Sequence, residues 1–387
     1  MKQLFSIYLF LMSIILVSCQ VHSQEVKNES LEFELNQLIQ QEFEEGKFEG
    51  TITIGNYDEI IFQRAIGVAD RSWEIPMSMN VRFDIASVNK SFIAGLTLKA
   101  VEEGLLSLGD KLVNILKELE IVYTGSFSDS ITIHQMLSHT SGLPDYNAVP
   151  EELSENFFIN FKRKRFSNTE YVDFISKLPV VGKPKEKFYY SNFAYHLLPI
   201  LLEELYNKSF SELLIEKITE PLQLASTRAY TQNEEIQDSL ATAYNYQEKS
   251  GRWYENDFID LSLGRRIFST STDLYKWGLA MDDTTFLSHS SLKLMKTNHL
   301  KEVSNSLSYG YGWVVFDGKG NYEMGKLPIA KKYIIHGGNT GGYKAMLVNI
   351  NSGEWVISFL SNIGSRTNEL QLAEKIVQLL NKQSDES

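Results

Sequence analysis

The run Ile85-Ala86-Ser87-Val88-Asn89-Lys90-Ser91-Phe92-Ile93 is the most informative stretch of the chain, and Leu96 and Ala100 continue it at helical spacing. The pattern puts Ser87 at or near a helix N-terminus, with Lys90 three residues on and on the same face. A serine hydroxyl is a poor nucleophile at neutral pH, and an amine within reach can take its proton. The helix start adds backbone N–H groups and the positive end of a dipole where an oxyanion would develop. Ser-x-x-Lys alone is a weak signal, and a second copy stands at Ser290-Ser291-Leu292-Lys293. That copy lies in an amphipathic run with Leu292 and Met295 and has little chain left for partners. It reads as a solvated helix face, which leaves the first copy as the chemical one.

Working outward, the nucleophile needs a proton shuttle. A free lysine titrates near about 10.4 and is mostly protonated at neutral pH, so a phenol or a deprotonated amine must help. Tyr190-Ser191-Asn192 offers a phenol and an amide between the turn-rich segment 182–187 and a helical run. A rival Tyr-x-Asn at Tyr254-Glu255-Asn256 sits in a polar loop without a neighbouring anchor. The third element is His336-Gly337-Gly338-Asn339-Thr340-Gly341-Gly342, directly after the apolar strand Tyr333 to Ile335. Glycines there let a substrate backbone approach, and a backbone N–H near Asn339 can complete an oxyanion hole with that of Ser87.

In order and spacing, Ser-x-x-Lys, Tyr-x-Asn and His-x-Gly resemble the serine β-lactamase and penicillin-binding-protein family. The resemblance is to its class C, D-alanyl-D-alanine carboxypeptidase and esterase branch. It spans about residues 31 to 380 and includes Ser107-Leu108-Gly109-Asp110-Lys111, His139-Thr140-Ser141-Gly142-Leu143-Pro144, Ser269-Thr270-Ser271-Thr272-Asp273-Leu274 and Tyr309-Gly310-Tyr311-Gly312-Trp313. It implies an α/β (α+β) fold of the β-lactamase/transpeptidase type: an antiparallel sheet flanked by helices, plus an inserted all-helical domain. It also implies roles. Ser87 would be the acylated nucleophile, and Lys90 with Tyr190 the coupled base. Asn192 would contact the substrate amide, while His336 and Gly338 would line the opposite wall. No metal or organic cofactor is expected, in agreement with the lack of a His-Glu-x-x-His pair or a glycine-rich phosphate loop. His139 reads as a satisfied core or turn histidine.

One departure bears on substrate. Many β-lactamases of the family carry Lys-Thr-Gly where this chain has His336-Gly337-Gly338. A histidine is only partly charged near neutral pH, so D-peptidase or esterase chemistry is expected over efficient β-lactam hydrolysis. The alternative is a binding or sensor protein, acylated or occupied by cell-wall fragments with little turnover. A Ser-His-Asp enzyme of the α/β-hydrolase type would want Gly-x-Ser-x-Gly, and no such pentapeptide occurs.

The flanks complete the organisation. Lys2, the 14-residue apolar run Leu4 to Val17 and the lone cysteine Cys19 after Ser18 read as a lipoprotein signal peptide over 1–19. The run is short of the roughly 20 residues a spanning helix needs. Lipidation at Cys19 would anchor an exported bacterial protein to the cell envelope, on the periplasmic or surface side. Residues 20–30 read as a tether. Segments 31–95 and 261–387 carry hairpin and strand patterns and are expected to form one α/β domain from both chain ends, with 96–260 a mainly helical insertion. The 387 residues carry a net charge of −12, and the one basic run, Lys162 to Arg165, gets no role. Nucleic acid is therefore excluded as a partner. A monomer acting on a small-molecule or peptide-like substrate is expected.

Overall fold

The computed structural model describes residues 29–146, 166–230, 237–256, 265–318, 320 and 322–385. The signal segment with Cys19, all but the last two residues of the tether, and Lys162 to Arg165 lie outside the described residues.

Alternating Thr51-Ile52-Thr53-Ile54 forms strand β1 (Gly50–Gly55), and Ile60-Ile61-Phe62 opens β2 (Ile60–Ile66). Between them Asn56 turns the chain, its Oδ1 accepting the N–H groups of Asp58 at 2.8 Å and Glu59 at 3.0 Å. The C-terminal third supplies β3 (Val314–Phe316), β4 (Tyr333–Thr340), β5 (Tyr343–Ile350) and β6 (Trp355–Ser361). Positive φ at Asn351, Ser352 and Gly353 makes the last hairpin turn. The sheet order is β3-β4-β5-β6-β1-β2 with every pair antiparallel, and Ile52 lies opposite Phe359. Both chain ends thus share one sheet.

Helices cover both faces. Helix α1 (29–44) and the closing helix Glu369–Asp385 bury Leu31, Leu35, Ile39, Leu372 and Ile376 against one face. Helix α2 (Asn89–Glu102), helix α3 (Asn192–Tyr206) and helix α4 (Ser271–Leu279) belong to the larger core on the other, where α4 packs on β1, β5 and β6. This is the expected class of fold, an antiparallel sheet flanked by helices.

The boundary placed after residue 95 does not coincide with a break. Helix α2 runs through it, and its buried residues pack in one continuous cluster with residues on both sides of the division. The segment expected to be mainly helical also contains the short strands Arg228–Tyr230, Tyr244–Gln247 and Arg252–Glu255. The first of these joins Phe83–Asp84 and Arg266–Ser269 in a small sheet that leads straight to Ser87.

Candidate active site

The turn that presents Ser87 is built by Asp84. One carboxylate oxygen accepts the Ala86 N–H at 2.7 Å, and the other forms an ion pair with Arg266. The bond helps hold Ala86 at φ +48°, a left-handed conformation that costs a side-chain-bearing residue of order 1–3 kcal/mol. Ser87 then lies in the 3-10 turn Ala86–Val88, one turn ahead of α2.

Lys90 is 3% exposed, and its ammonium reaches two oxygens: Ser87 Oγ at 3.3 Å and Asn192 Oδ1 at 2.8 Å. The Asn192 amide is oriented from behind. Its Nδ2 donates to Asp145 Oδ1 at 3.1 Å and Oδ2 at 3.2 Å, and its backbone N–H donates to Oδ1 at 3.1 Å. An ionised carboxylate only accepts, so Nδ2 must face Asp145 and Oδ1 must face the lysine. Asn192 is therefore braced at both ends of its amide while it also lines the cavity beside Ser87.

Tyr190 sits with its ring centroid 4.8 Å from Lys90 Nζ. His139 holds it in three ways: the imidazole stacks on the phenol ring at 4.3 Å, its Nδ1 accepts the Ser191 N–H at 3.1 Å, and its carbonyl accepts the Tyr189 N–H at 2.8 Å. Burial, then the nearby Lys90 charge, push this imidazole well below the usual histidine range. Ser191 caps α3, accepting the Ala194 N–H at 3.1 Å and donating to the Pro144 carbonyl.

Strand β4 is the opposite wall. Its outer neighbour β3 pairs only with Tyr333 to Ile335, so from His336 onward no described strand covers this edge, which packs towards the Ser87 turn. The approach is close enough to demand glycine: a methyl group at Gly338 would lie 2.5 Å from the Ile85 carbonyl oxygen and 3.2 Å from the Ser87 nitrogen. Asn339 is exposed beyond it. Ser87, Lys90, Asn192, Tyr146, Arg266 and Asn339 are among the residues lining a cavity of about 370 Å³.

His336 departs from its expected place on the substrate wall. Its ring is buried at 5% exposure, with Nδ1 donating to the Gly337 carbonyl at 2.7 Å and Nε2 accepting from the Tyr309 hydroxyl at 3.2 Å. Burial, then the neighbouring Lys90 charge, lowers it to about 3. It is a neutral brace behind the lysine, and it offers no cation to a substrate. The rival motifs lie on the surface: Ser290 and Lys293 are exposed on the helix His289–Met295, and Tyr254 is half exposed. Asn256, however, donates to the Gly341 carbonyl at the rim of the cavity. Sequence reasoning missed Asp145, Asp84 and Arg266. Asp145 directly follows the Gly142-Leu143-Pro144 break, which could have marked it, whereas no local signal pairs Asp84 with Arg266. Among the described residues no three His, Cys, Asp or Glu side chains converge as metal ligands.

The Beta-lactamase family model matches residues 35–381. A penicillin-binding protein of Bacillus subtilis is 26% identical over 334 residues, covering 82% of this chain and 69% of the relative. Two solved structures share the fold at lower identity. A penicillin binding protein from Bacillus halodurans superposes with TM-score 0.72 at 22% identity, over 88% of this chain and 99% of that one. A D-amino acid amidase from Ochrobactrum anthropi superposes with TM-score 0.71 at 19% identity, over 92% and 99%.

Proposed function

The chain belongs to the beta-lactamase family of serine hydrolases, and we propose that it cleaves an amide or ester through an acyl-enzyme on Ser87, as a D-peptidase or esterase rather than an efficient β-lactamase. The observation that carries this reading is the hydrogen-bonded chain Ser87, Lys90, Asn192, Asp145, set beside Tyr190 and facing the β4 edge that no described strand covers.

In this reading Ser87 Oγ attacks the substrate carbonyl carbon while its proton passes to the Lys90 and Tyr190 pair. The tetrahedral oxyanion lies between the backbone N–H groups of Ser87 and Asn339. The same pair returns the proton to the departing nitrogen or oxygen as the carbon to leaving-group bond breaks, leaving an ester on Ser87. Water then attacks that ester, the pair takes its proton and returns it to Ser87 Oγ as the acyl carbon to Oγ bond breaks, and the acid is released. The neutral, buried His336 supports the choice of substrate, because the wall lacks the lysine that would hold a β-lactam carboxylate. The D-amino acid amidase with the same fold is consistent with amide chemistry on this scaffold.

Pre-steady-state kinetics with an aryl ester, a D-alanyl-D-alanine peptide and a chromogenic cephalosporin test the reading. The ester or the D-peptide should give a burst followed by sustained turnover, with the cephalosporin much slower. Lys90→Ala and Tyr190→Phe should each lower the burst rate by about a thousand-fold or more. A stoichiometric burst without turnover would replace the enzyme with a sensor, and fast cephalosporin hydrolysis would overturn the substrate preference. We also propose export and lipid anchoring at Cys19, which labelled palmitate tests by incorporation into the wild type and not into Cys19→Ala.

A further inference from the structure

The cavity beside Ser87 has a side and a charge that the reaction itself does not use. Its lining includes Ala86, Asn89, Tyr146, His196, Arg266 and Thr340 but not Tyr190. Lys90 of the proton-transfer pair lines this cavity and Tyr190 does not, which points to the acyl half of the substrate as its occupant. Among the described residues its lining carries two cations, and Lys90 is committed to Ser87 and Asn192. The other is Arg266, which meets Asp84 through one nitrogen, Nη2, and a guanidinium has five N–H donors. Among the described residues Asp84 is the only acid in the lining, with one oxygen accepting the Ala86 N–H and the other paired with Arg266. Asp145, behind Asn192, turns its carboxylate to that residue's amide. His196 accepts from or donates to the Tyr171 hydroxyl through Nδ1 at 2.7 Å and, buried, is pushed well below the usual histidine range.

We propose that Arg266 selects substrates whose acyl group carries a carboxylate, binding that group inside the cavity next to Ser87. The inference rests on the acyl-enzyme reading above and names its substrate class. A largely buried guanidinium already paired with Asp84 can donate to a second carboxylate in fork geometry without being ordered afresh. Burial lowers Arg266 to about 10, which leaves it cationic throughout the neutral range. Asn89 and Asn339, also in the lining, supply further amide donors for the same group. The acid is recognised on the acyl side, so the contact is independent of the wall position vacated by lysine at His336.

The test compares two aryl esters of equal chain length, the 4-nitrophenyl monoester of glutaric acid and 4-nitrophenyl valerate, each corrected for its uncatalysed rate. The full exported chain should show a kcat/KM ratio favouring the acidic ester by about ten-fold or more, the range expected for a charge-assisted hydrogen bond. In Arg266→Gln the ratio should fall to near one, and in Arg266→Lys it should lie between. The ratio is read because Arg266 also steadies the Ser87 turn, so any overall loss of activity cancels. A wild-type ratio at or below one overturns the inference, as does a preference that survives in Arg266→Gln; should the variants not fold, the wild-type ratio still decides against it or for it. Fluorophosphonate labelling of Ser87 separates the two levels: labelled enzyme without acid preference sinks this inference alone, whereas absent labelling and absent turnover of both esters sink the hydrolase reading beneath it.

Discussion

Asp145→Asn isolates what one carboxylate contributes to the site. With the charge gone, the Asn192 amide loses the acceptor that fixes its orientation and can turn its NH2 towards Lys90, so kcat should fall by about ten-fold. An unchanged kcat in Asp145→Asn would contradict the bracing role. Ser87, Lys90, Tyr190 and Asn192 were legible as candidates because their chemistry lies in short motifs, and the structure brings all four together. Asp145 was not, because its importance comes from a contact across 47 positions. The orientation of His336 was equally hidden, since a histidine beside glycines reads the same whether its ring faces a cleft or the Tyr309 hydroxyl.

The edge of β4 and the turn at Ser87 act as one element, and two neighbouring glycines there should respond differently to the same substitution. A methyl group at Gly338 would overlap the Ile85 carbonyl, so Gly338→Ala should push the strand from the nucleophile. The rate of Ser87 labelling by a fluorophosphonate should drop by about a hundred-fold, since an ångström-scale misplacement of the reacting groups carries such a cost. At Gly337 the nearest atom to a methyl would be Met346 Cε at 3.6 Å, an ordinary contact, and labelling should stay close to that of the wild type. Equal losses in both variants would remove the steric account. The hairpins were readable from alternation and turn residues, as in Thr51-Ile52-Thr53-Ile54 before Asn56. The length of β4 was not, because two glycines carry no side-chain pattern to mark a strand that continues through them to Thr340.

At the scale of the whole molecule, His139, His196 and His336 are held neutral by burial in the fold. The unfolded chain binds protons at these sites near pH 6.5, while the folded chain does so only at lower pH, to about 3 for His336. Between those limits the unfolded state carries more protons, so stability is full above about pH 6.5 and falls as pH is lowered. Each histidine can contribute up to about 1.4 kcal/mol per pH unit. Urea unfolding between about pH 7 and pH 5, above the ordinary carboxylate range, should show the decline, and His336→Gln should flatten it. A pH-independent midpoint would contradict the burial of these rings. The joining of both chain ends in one sheet was legible from strand patterns at each end. The continuous core was not, because helix α2 crosses the boundary that changes in residue pattern suggested near residue 95. The central claim, that Ser87 is the nucleophile, is tested most directly by the intact mass of the protein after exposure to a fluorophosphonate, with mapping of the modified peptide. A single adduct on the peptide containing Ser87, absent from Ser87→Ala, is the predicted result; an adduct that persists in Ser87→Ala, or maps to another serine, would contradict it.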